Sequence, residues 1–129
     1  MNIQELATAV QNRLPVKIAV LNNGFLGMVR QWQELFYDKR YCQTCLEVAP
    51  DFTKIAEAYG AVGMRATHPD EVDKVIEEAL SVKDKPVVMD FAVDREENVF
   101  PMVPAGKAIR EMMLGPEAEK KKRKVRAVK

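Results

Sequence analysis

A run of side-chain amides and glycines at positions 22–27 carries the most distinctive functional groups of this sequence. The run is Asn22, Asn23, Gly24, Phe25, Leu26 and Gly27, and it directly follows a short apolar stretch. Amide and carbonyl oxygens are hard donors that suit Mg²⁺, which takes few protein ligands and completes its shell with water and phosphate oxygens. Glycines let the backbone approach such a ligand closely. The same residue types are typical of an ordinary turn, so a metal site and a plain turn are both open on local grounds.

The cysteines and the histidine have plainer interpretations. Cys42 and Cys45 are spaced as a C-x-x-C, but they fall in a predicted loop rather than at a helix start after a strand, which favours incidental thiols over a redox pair. A zinc site would need about two more ligands than these cysteines supply. The only histidine, His68, precedes a proline at a predicted helix start and is interpreted as a surface turn residue.

A charged cluster follows the last apolar stretch and is predicted to be a solvated strand end. Its members are Asp90, Asp94, Arg95, Glu96 and Glu97. No residue of the chain stands out as a general acid, general base or nucleophile, so the sequence predicts binding groups and no catalytic side chain.

Alternating helix and strand patterns surround these groups. Apolar residues recur at helical spacing in four segments, which are residues 2–14, 28–36, 50–60 and 67–80. A short apolar run rich in β-branched residues predicts a buried strand at residues 16–21. Residues 86–93 are predicted to be a second strand with an apolar core, and residues 61–66 are a short strand candidate. The order predicts an α/β fold with a mostly parallel sheet flanked by helices. In such sheets, ligands bind beyond the carboxyl ends of strands, which is where residues 22–27 fall.

Particular residues mark the predicted ends and faces of the helices. Asn2 with Glu5, Pro50 and Thr67 are the predicted helix starts, and Gly60 is a predicted helix stop. The predicted apolar face of the second helix consists of Met28, Trp32, Leu35 and Phe36.

The composition is that of an ordinary globular domain. The chain has 129 residues, of which 47% are hydrophobic and 30% charged, and no stretch approaches the roughly 18 consecutive apolar residues of a membrane span. No secretory signal pattern opens the chain, and two cysteines suit a reducing compartment, so a cytoplasmic protein is expected. The net charge is +1, but residues 117–129 carry seven basic and two acidic side chains.

The remaining residues are therefore acidic, with a net charge of −4. This argues against a body that binds nucleic acid. The basic residues 117–129 are predicted to be a disordered, solvated tail. A nuclear import signal or phosphate-binding patch at residues 120–125 is the alternative interpretation.

Residues 20–37 resemble the second half of the thiamine diphosphate motif of acetolactate synthase large subunits. In that family the motif begins with Gly-Asp-Gly and ends in Asn-Asn, which here would be Asn22 and Asn23. The Gly-Met-Val-x-Gln-Trp that follows, residues 27–32, is more specific, because it separates acetolactate synthases from other carboligases and decarboxylases that use this cofactor. The resemblance extends over residues 1–116 and includes residues 1–6, 50–52, 56–60 and 98–104.

The resemblance implies a set of binding residues. Residues 1–116 would be the C-terminal part of a thiamine-diphosphate-binding domain. The side-chain oxygen of Asn23 and the backbone carbonyl of Phe25 would bind Mg²⁺; the family often has a polar residue at the second position, but a carbonyl ligand tolerates any side chain. The cofactor contacts would be Asn23, Gly24, Phe25, Leu26, Gly27 and Met28. Val29 and Trp32 would line the channel used by substrates and inhibitors.

The resemblance also implies an activity and partners. The parent enzyme condenses pyruvate with a second 2-keto acid in branched-chain amino acid synthesis, and its FAD would lie on another domain. The partners would be the remaining domains, a second large subunit and a regulatory small subunit, in a homo-oligomer. Because the glutamate that activates the cofactor would lie in an N-terminal domain of a partner chain, and the FAD-binding domain is not part of this segment, we expect the chain to be inactive alone. The alternatives are a non-catalytic assembly domain and another thiamine-dependent decarboxylase or oxidase, against which Trp32 argues.

Overall fold

A computed structural model describes residues 2–46, 48 and 50–116 of the chain. The elements follow the predicted order, with 3₁₀ turns at Pro69–Glu71 and Ile109–Glu111 in addition. They are α1 (Glu5–Gln11), β1 (Lys17–Asn22), α2 (Gly27–Phe36), α3 (Phe52–Ala58), β2 (Val62–Ala66), α4 (Val72–Ser81) and β3 (Val87–Ala92). The predicted tail, residues 117–129, lies outside the described residues. Within the described part, no helix is long and apolar enough to cross a membrane.

The chain divides into two compact units. The first consists of Met1–Leu26 and Cys42–Glu96, and the second of Gly27–Tyr41 and Glu97–Lys129. The first unit therefore contains every strand named above together with α1, α3 and α4, whereas the second contains α2 and the segment that follows Glu97. The predicted domain boundary at residue 116 stays a prediction.

The first unit is built on a parallel sheet with the strand order β1-β3-β2. Lys17 of β1 and Val62 of β2 both pair with Val87, so β3 lies between them. Alternate residues of β3 serve two cores. Val88 packs with Leu6, Ala56 and Ala61 on the side of α1 and α3. The other core includes Val75 and Ala79 of α4 with Val87, Met89 and Phe91. The predicted α/β class with a mostly parallel sheet is confirmed.

The prediction that β1 is a buried strand was wrong. Among the described strands β1 pairs only with β3, and Leu21 is 72% exposed. Ile18 and Val20 do pack on the core beneath α1 and α3. An apolar run shows that a strand meets hydrophobic neighbours, but it does not show on how many sides.

Three of the predicted helix ends differ from those observed. Asn2 does not cap α1, whose N-cap is Gln4 without a side-chain hydrogen bond, and the helix ends at Gln11 instead of continuing to Leu14. Helix α3 is capped by Asp51, whose carboxylate accepts the N–H groups of Thr53 and Lys54. Pro50 therefore precedes the cap instead of occupying the first turn. The predicted stop at Gly60 is consistent with its left-handed φ of +82° directly after the C-cap.

The start of the fourth helix is formed by Glu71 rather than by Thr67. A 3₁₀ turn precedes α4, and His68 occupies its N-cap position. The carboxylate of Glu71 reaches back and accepts the backbone N–H groups of Thr67 and His68 at 2.7 and 3.0 Å. These hydrogen bonds lower the pKa of Glu71. His68 is thus an exposed turn residue, as predicted.

In the second unit, α2 buries polar residues instead of the predicted apolar face. Arg30 and Gln31 are its buried residues, whereas Met28, Trp32 and Phe36 are each more than 40% exposed. The Gln31 side chain accepts the N–H of Val99 at 2.8 Å and donates to the carbonyl of Val99 at 3.0 Å. An amide can be buried at little cost when both of its ends are hydrogen-bonded, and this is why the apolar pattern misidentified the face.

Candidate functional site

The loop after β1 consists of two overlapping side-chain turns. The Asn22 side-chain oxygen accepts the N–H of Gly24, and the Asn23 side-chain oxygen accepts the N–H of Phe25, each at 3.1 Å. Gly24 has a φ of +69°, which favours glycine at this position. A carboxamide oxygen has two lone pairs, so a turn and a ligand role are compatible for Asn23. The loop lies at the carboxyl end of β1, as predicted.

A second segment pairs with this loop and fixes its path. The N–H of Leu26 donates to the carbonyl of Thr44 at 2.9 Å, and the N–H of Leu46 donates to the carbonyl of Gly24 at 2.8 Å. Phe25 and Cys45 form an antiparallel bridge between these bonds. The segment around the C-x-x-C motif therefore supports the loop, a role that no local pattern in the sequence indicated.

The cysteines themselves are surface residues. Cys42 and Cys45 are both exposed, and no disulfide joins them. The described residues contain no group of three or more His, Cys, Asp or Glu side chains that could hold a metal ion.

Arg95 is exposed, as predicted for the charged cluster, and it lies over the loop. Its guanidinium carbon is 4.8 Å from the centroid of the Phe25 ring, and its Nη2 is 3.5 Å from the sulfur of Cys45. A Cβ atom placed on Gly24 would be 3.9 Å from its Nε. The available signal was topological, because Arg95 follows the carboxyl end of β3 and neighbouring parallel strands end at the same edge of the sheet.

Asp90 departs from the predicted solvated cluster, because it is 3% exposed within β3. Its Oδ2 accepts the Nε–H of Arg65 at 3.0 Å, and the same guanidinium binds Asp51 at 2.8 Å. A hydrogen bond from the Thr53 hydroxyl, with help from the Lys54 N–H and Arg65, lowers the pKa of Asp51 to about 2. The ion network joins the N-terminus of α3 to β2 and β3, which is a structural role.

The remaining predicted site residues begin the second unit. Gly27 is the first residue of α2, followed by Met28, which is 49% exposed, and Val29, which is 51% exposed. Trp32 is 42% exposed and meets the Phe36 ring edge to face at a centroid distance of 6.4 Å. These side chains are accessible to a ligand rather than buried in a core.

Two surface depressions share Trp32. One of about 230 Å³ is lined by Trp32, Phe36, Tyr37, Pro104 and Ala105. The other, of about 500 Å³, is lined by Val29, Trp32, Gln33, Tyr37 and Arg40. An aromatic ring that is exposed on two sides can contact a ligand on either of them.

The residues of the loop fit one part of a Mg²⁺ site. The Asn23 oxygen is a hard donor with one lone pair beyond its turn hydrogen bond. Both ligands expected from the sequence are neutral, and they would fix the geometry of a metal without balancing its charge. A bound anionic group or a carboxylate would have to provide that balance.

Comparison with known proteins gives consistent matches. The family described as "Thiamine pyrophosphate enzyme, C-terminal TPP binding domain" matches residues 1–91. The acetolactate synthase large subunit of Haemophilus influenzae is 50% identical over 119 residues, which is 92% of this chain and 21% of that protein. The acetolactate synthase of Mycobacterium bovis is 52% identical over 110 residues, covering 82% of this chain and 18% of that protein. The predicted resemblance to acetolactate synthase large subunits is confirmed.

A solved structure supports the fold. The thiamine diphosphate-dependent 4-hydroxybenzoylformate decarboxylase of Rhodococcus jostii RHA1 superposes with a TM-score of 0.66 at 26% identity, over 74% of this chain and 18% of that one. The chain thus spans about a fifth of the length of the curated relatives it matches.

Proposed function

The chain belongs to the thiamine pyrophosphate enzyme family, as its C-terminal TPP binding domain, and from this we propose that it supplies part of the cofactor site of an acetolactate synthase large subunit. The proposed activity of the complete protein is the condensation of pyruvate with a second 2-keto acid. The observation that carries the proposal is the pair of overlapping side-chain turns formed by Asn22 and Asn23 at the carboxyl end of β1. These turns occur in a chain that is 50% identical to an acetolactate synthase large subunit over 92% of its length.

We propose that Asn23 and Phe25 are the protein ligands of Mg²⁺ in this chain. The Asn23 side-chain oxygen would use its second lone pair, and Phe25 would use its backbone carbonyl. Gly24 and Leu26 would border the diphosphate, and Gly27 and Met28 are proposed as further cofactor contacts. When bound, thiamine diphosphate supplies the stabilisation of negative charge on the substrate carbon, and the metal holds its diphosphate. The contribution of this chain is to bind and orient.

Val29 and Trp32 are proposed to line the substrate channel. Their support is the exposure of both side chains and the depressions on either side of the Trp32 ring. FAD would be bound by another domain of the enzyme.

The proposed partners are the remaining domains of a large subunit, a second large subunit and a regulatory small subunit. The relatives are themselves named as large subunits, of which this chain matches about a fifth. Large apolar side chains exposed on one helix are typical of surfaces that pack against other protein, and α2 exposes four of them, Met28, Val29, Trp32 and Phe36.

The proposal is tested by transplanting residues 1–116 into the Haemophilus influenzae large subunit in place of its matching segment. We expect the chimera to produce acetolactate and to retain thiamine diphosphate through gel filtration in the presence of Mg²⁺. Asn23→Ala should abolish Mg²⁺-dependent retention. Asn22→Ala is the matched control, since it removes the equivalent turn hydrogen bond but no proposed ligand.

Two outcomes would contradict the proposal. Equal cofactor retention in the Asn23→Ala and Asn22→Ala chimeras would remove Asn23 from the metal site. A folded chimera that retains the cofactor but forms no acetolactate would separate this chain from the acetolactate synthase activity.

A further inference from the structure

We infer that Arg95 is a direct ligand of the diphosphate group, in addition to the residues of the loop after β1. The inference rests on the proposed function for the identity of the ligand. It adds a cation to a site whose other expected protein groups, Asn23 and Phe25, are neutral.

The position of Arg95 is the first support. Its guanidinium carbon lies 4.8 Å from the centroid of the Phe25 ring, and its Nε would be 3.9 Å from a Cβ atom added to Gly24, so it borders the loop that is proposed to face the diphosphate. A guanidinium presents its N–H groups as a planar fork. That planar fork matches two oxygens of a phosphate group.

The hydrogen bonds of the loop are the second support. The N–H groups of Gly24, Phe25 and Leu26 all donate to oxygens of the protein, namely the two asparagine side chains and the carbonyl of Thr44. These amides are therefore engaged and cannot serve an incoming anion without breaking the turns. A diphosphate at this loop needs donors from elsewhere, and Arg95 is beside it.

The charge around Arg95 is the third support. Its partners are an aromatic face and a thiol, and the described residues give it no ion pair with a carboxylate. The neighbouring carboxylate of Asp94 instead accepts the N–H of Glu96 at 2.7 Å. Arg65, by contrast, has two carboxylate partners. Within the described residues this is a cation without a carboxylate partner, beside a loop of neutral donors, and such a cation favours an anionic ligand.

The test uses the 129-residue chain and inorganic pyrophosphate, without Mg²⁺. Binding is followed by nuclear magnetic resonance through the amide signals of Gly24 and Phe25, so that pyrophosphate held by the basic residues 117–129 does not contribute. We expect Arg95→Gln to weaken the affinity about tenfold, equivalent to about 1.4 kcal/mol. Arg95→Lys should lose less, because it keeps the charge but not the planar fork.

Arg13→Gln is the matched control. Arg13 is also exposed, but it precedes β1 and therefore lies towards the amino end of the strands. Its removal changes the net charge equally and should leave the affinity unchanged. Thiamine without phosphate should cause the same small shifts in the parent chain and in Arg95→Gln.

The inference is overturned if pyrophosphate leaves both amide signals unshifted at millimolar concentration, or if Arg95→Gln binds it as well as Arg13→Gln does. These results are distinct from failure of the proposed function. If the chimera retains thiamine diphosphate while pyrophosphate binding does not depend on Arg95, only the inference fails. If pyrophosphate binding depends on Arg95 but the chimera retains no cofactor, the anion site stands and the proposed function fails.

Discussion

Substituting Gly63 by alanine is a direct test of how closely α3 packs on the sheet. Gly63 lies in β2, and a Cβ atom added there would be 2.5 Å from the carbonyl oxygen of Thr53 and 2.8 Å from its α-carbon. These atoms belong to the helix backbone, so no change of rotamer relieves the overlap. The first turn of α3 is also held to β2 by the ion pair between Asp51 and Arg65, which opposes a shift of the helix.

The expected loss of stability can be estimated from two opposing effects. Overpacking of a core typically costs about 1–3 kcal/mol, and overlap with three backbone atoms of Thr53 places Gly63→Ala near about 3 kcal/mol. Replacing glycine in a strand stabilises the folded state by about 0.5–1 kcal/mol, because the unfolded chain has less conformational freedom, and this offsets part of the loss. The net expectation is a loss of about 2 kcal/mol in the free energy of unfolding, or about 10 °C in Tm for a domain of this size.

The assay is denaturant unfolding followed by far-ultraviolet circular dichroism. Gly106→Ala is the control, because an added Cβ meets nothing within 4 Å there and only the φ of +77° opposes it. Its cost should be about 1 kcal/mol, from the left-handed backbone alone. A Gly63→Ala chain as stable as the parent would show that α3 moves away from the sheet without cost and would refute the reasoning.

Three further predictions concern other contacts. The pKa of Asp51 is about 2 against an ordinary 3.8, chiefly because the Thr53 hydroxyl donates a hydrogen bond to the carboxylate. The stability that this carboxylate gives to the folded chain is complete above about pH 4 and is lost as the pH falls to about 2. Acid unfolding should therefore be less steep in that range for Asp51→Asn, and an unchanged curve would argue against the assignment. Gln31→Leu should speed hydrogen exchange of the Val99 N–H at least about tenfold, since a buried donor loses its partner; slow exchange would show that another acceptor serves it. Trp32→Ala should lower the free energy of unfolding by less than about 1.5 kcal/mol, because the ring is 42% exposed, whereas truncating a buried aromatic costs about 3–5 kcal/mol. A larger loss in a denaturant titration would favour the core interpretation.

The order of elements could be predicted from the sequence because each has a clear period and a clear stop. The apolar run of β3 and the glycine after α3 are local signals, and both were interpreted correctly. The residues against which an element packs are not indicated by the sequence of that element alone. The hydrophobic face of α2 is exposed and Gln31 is buried, because a hydrogen-bonded partner 68 positions later makes burial of the amide favourable.

The candidate site was predictable to a similar extent. Asn23 could be placed at the end of a strand from the pattern around it, and its turn followed from residue type. The pairing of Phe25 with Cys45 and the position of Arg95 over the loop could not be predicted, because they depend on segments that only the fold brings together. Arg95 had appeared as one of several charges, although its partners among the described residues are the Phe25 ring and the Cys45 thiol.

The strand order β1-β3-β2 has a consequence for how the polypeptide is made. The ribosome releases β1 first and β2 next, yet these strands pair only with β3 among the described strands, and not with each other. Until residue 92 has left the exit tunnel, β1 and β2 both lack the strand with which they pair in the structure. Their edges towards β3 are then open to pairing with other chains. Once β3 emerges, it forms both of these ladders, so that this part of the sheet is completed late.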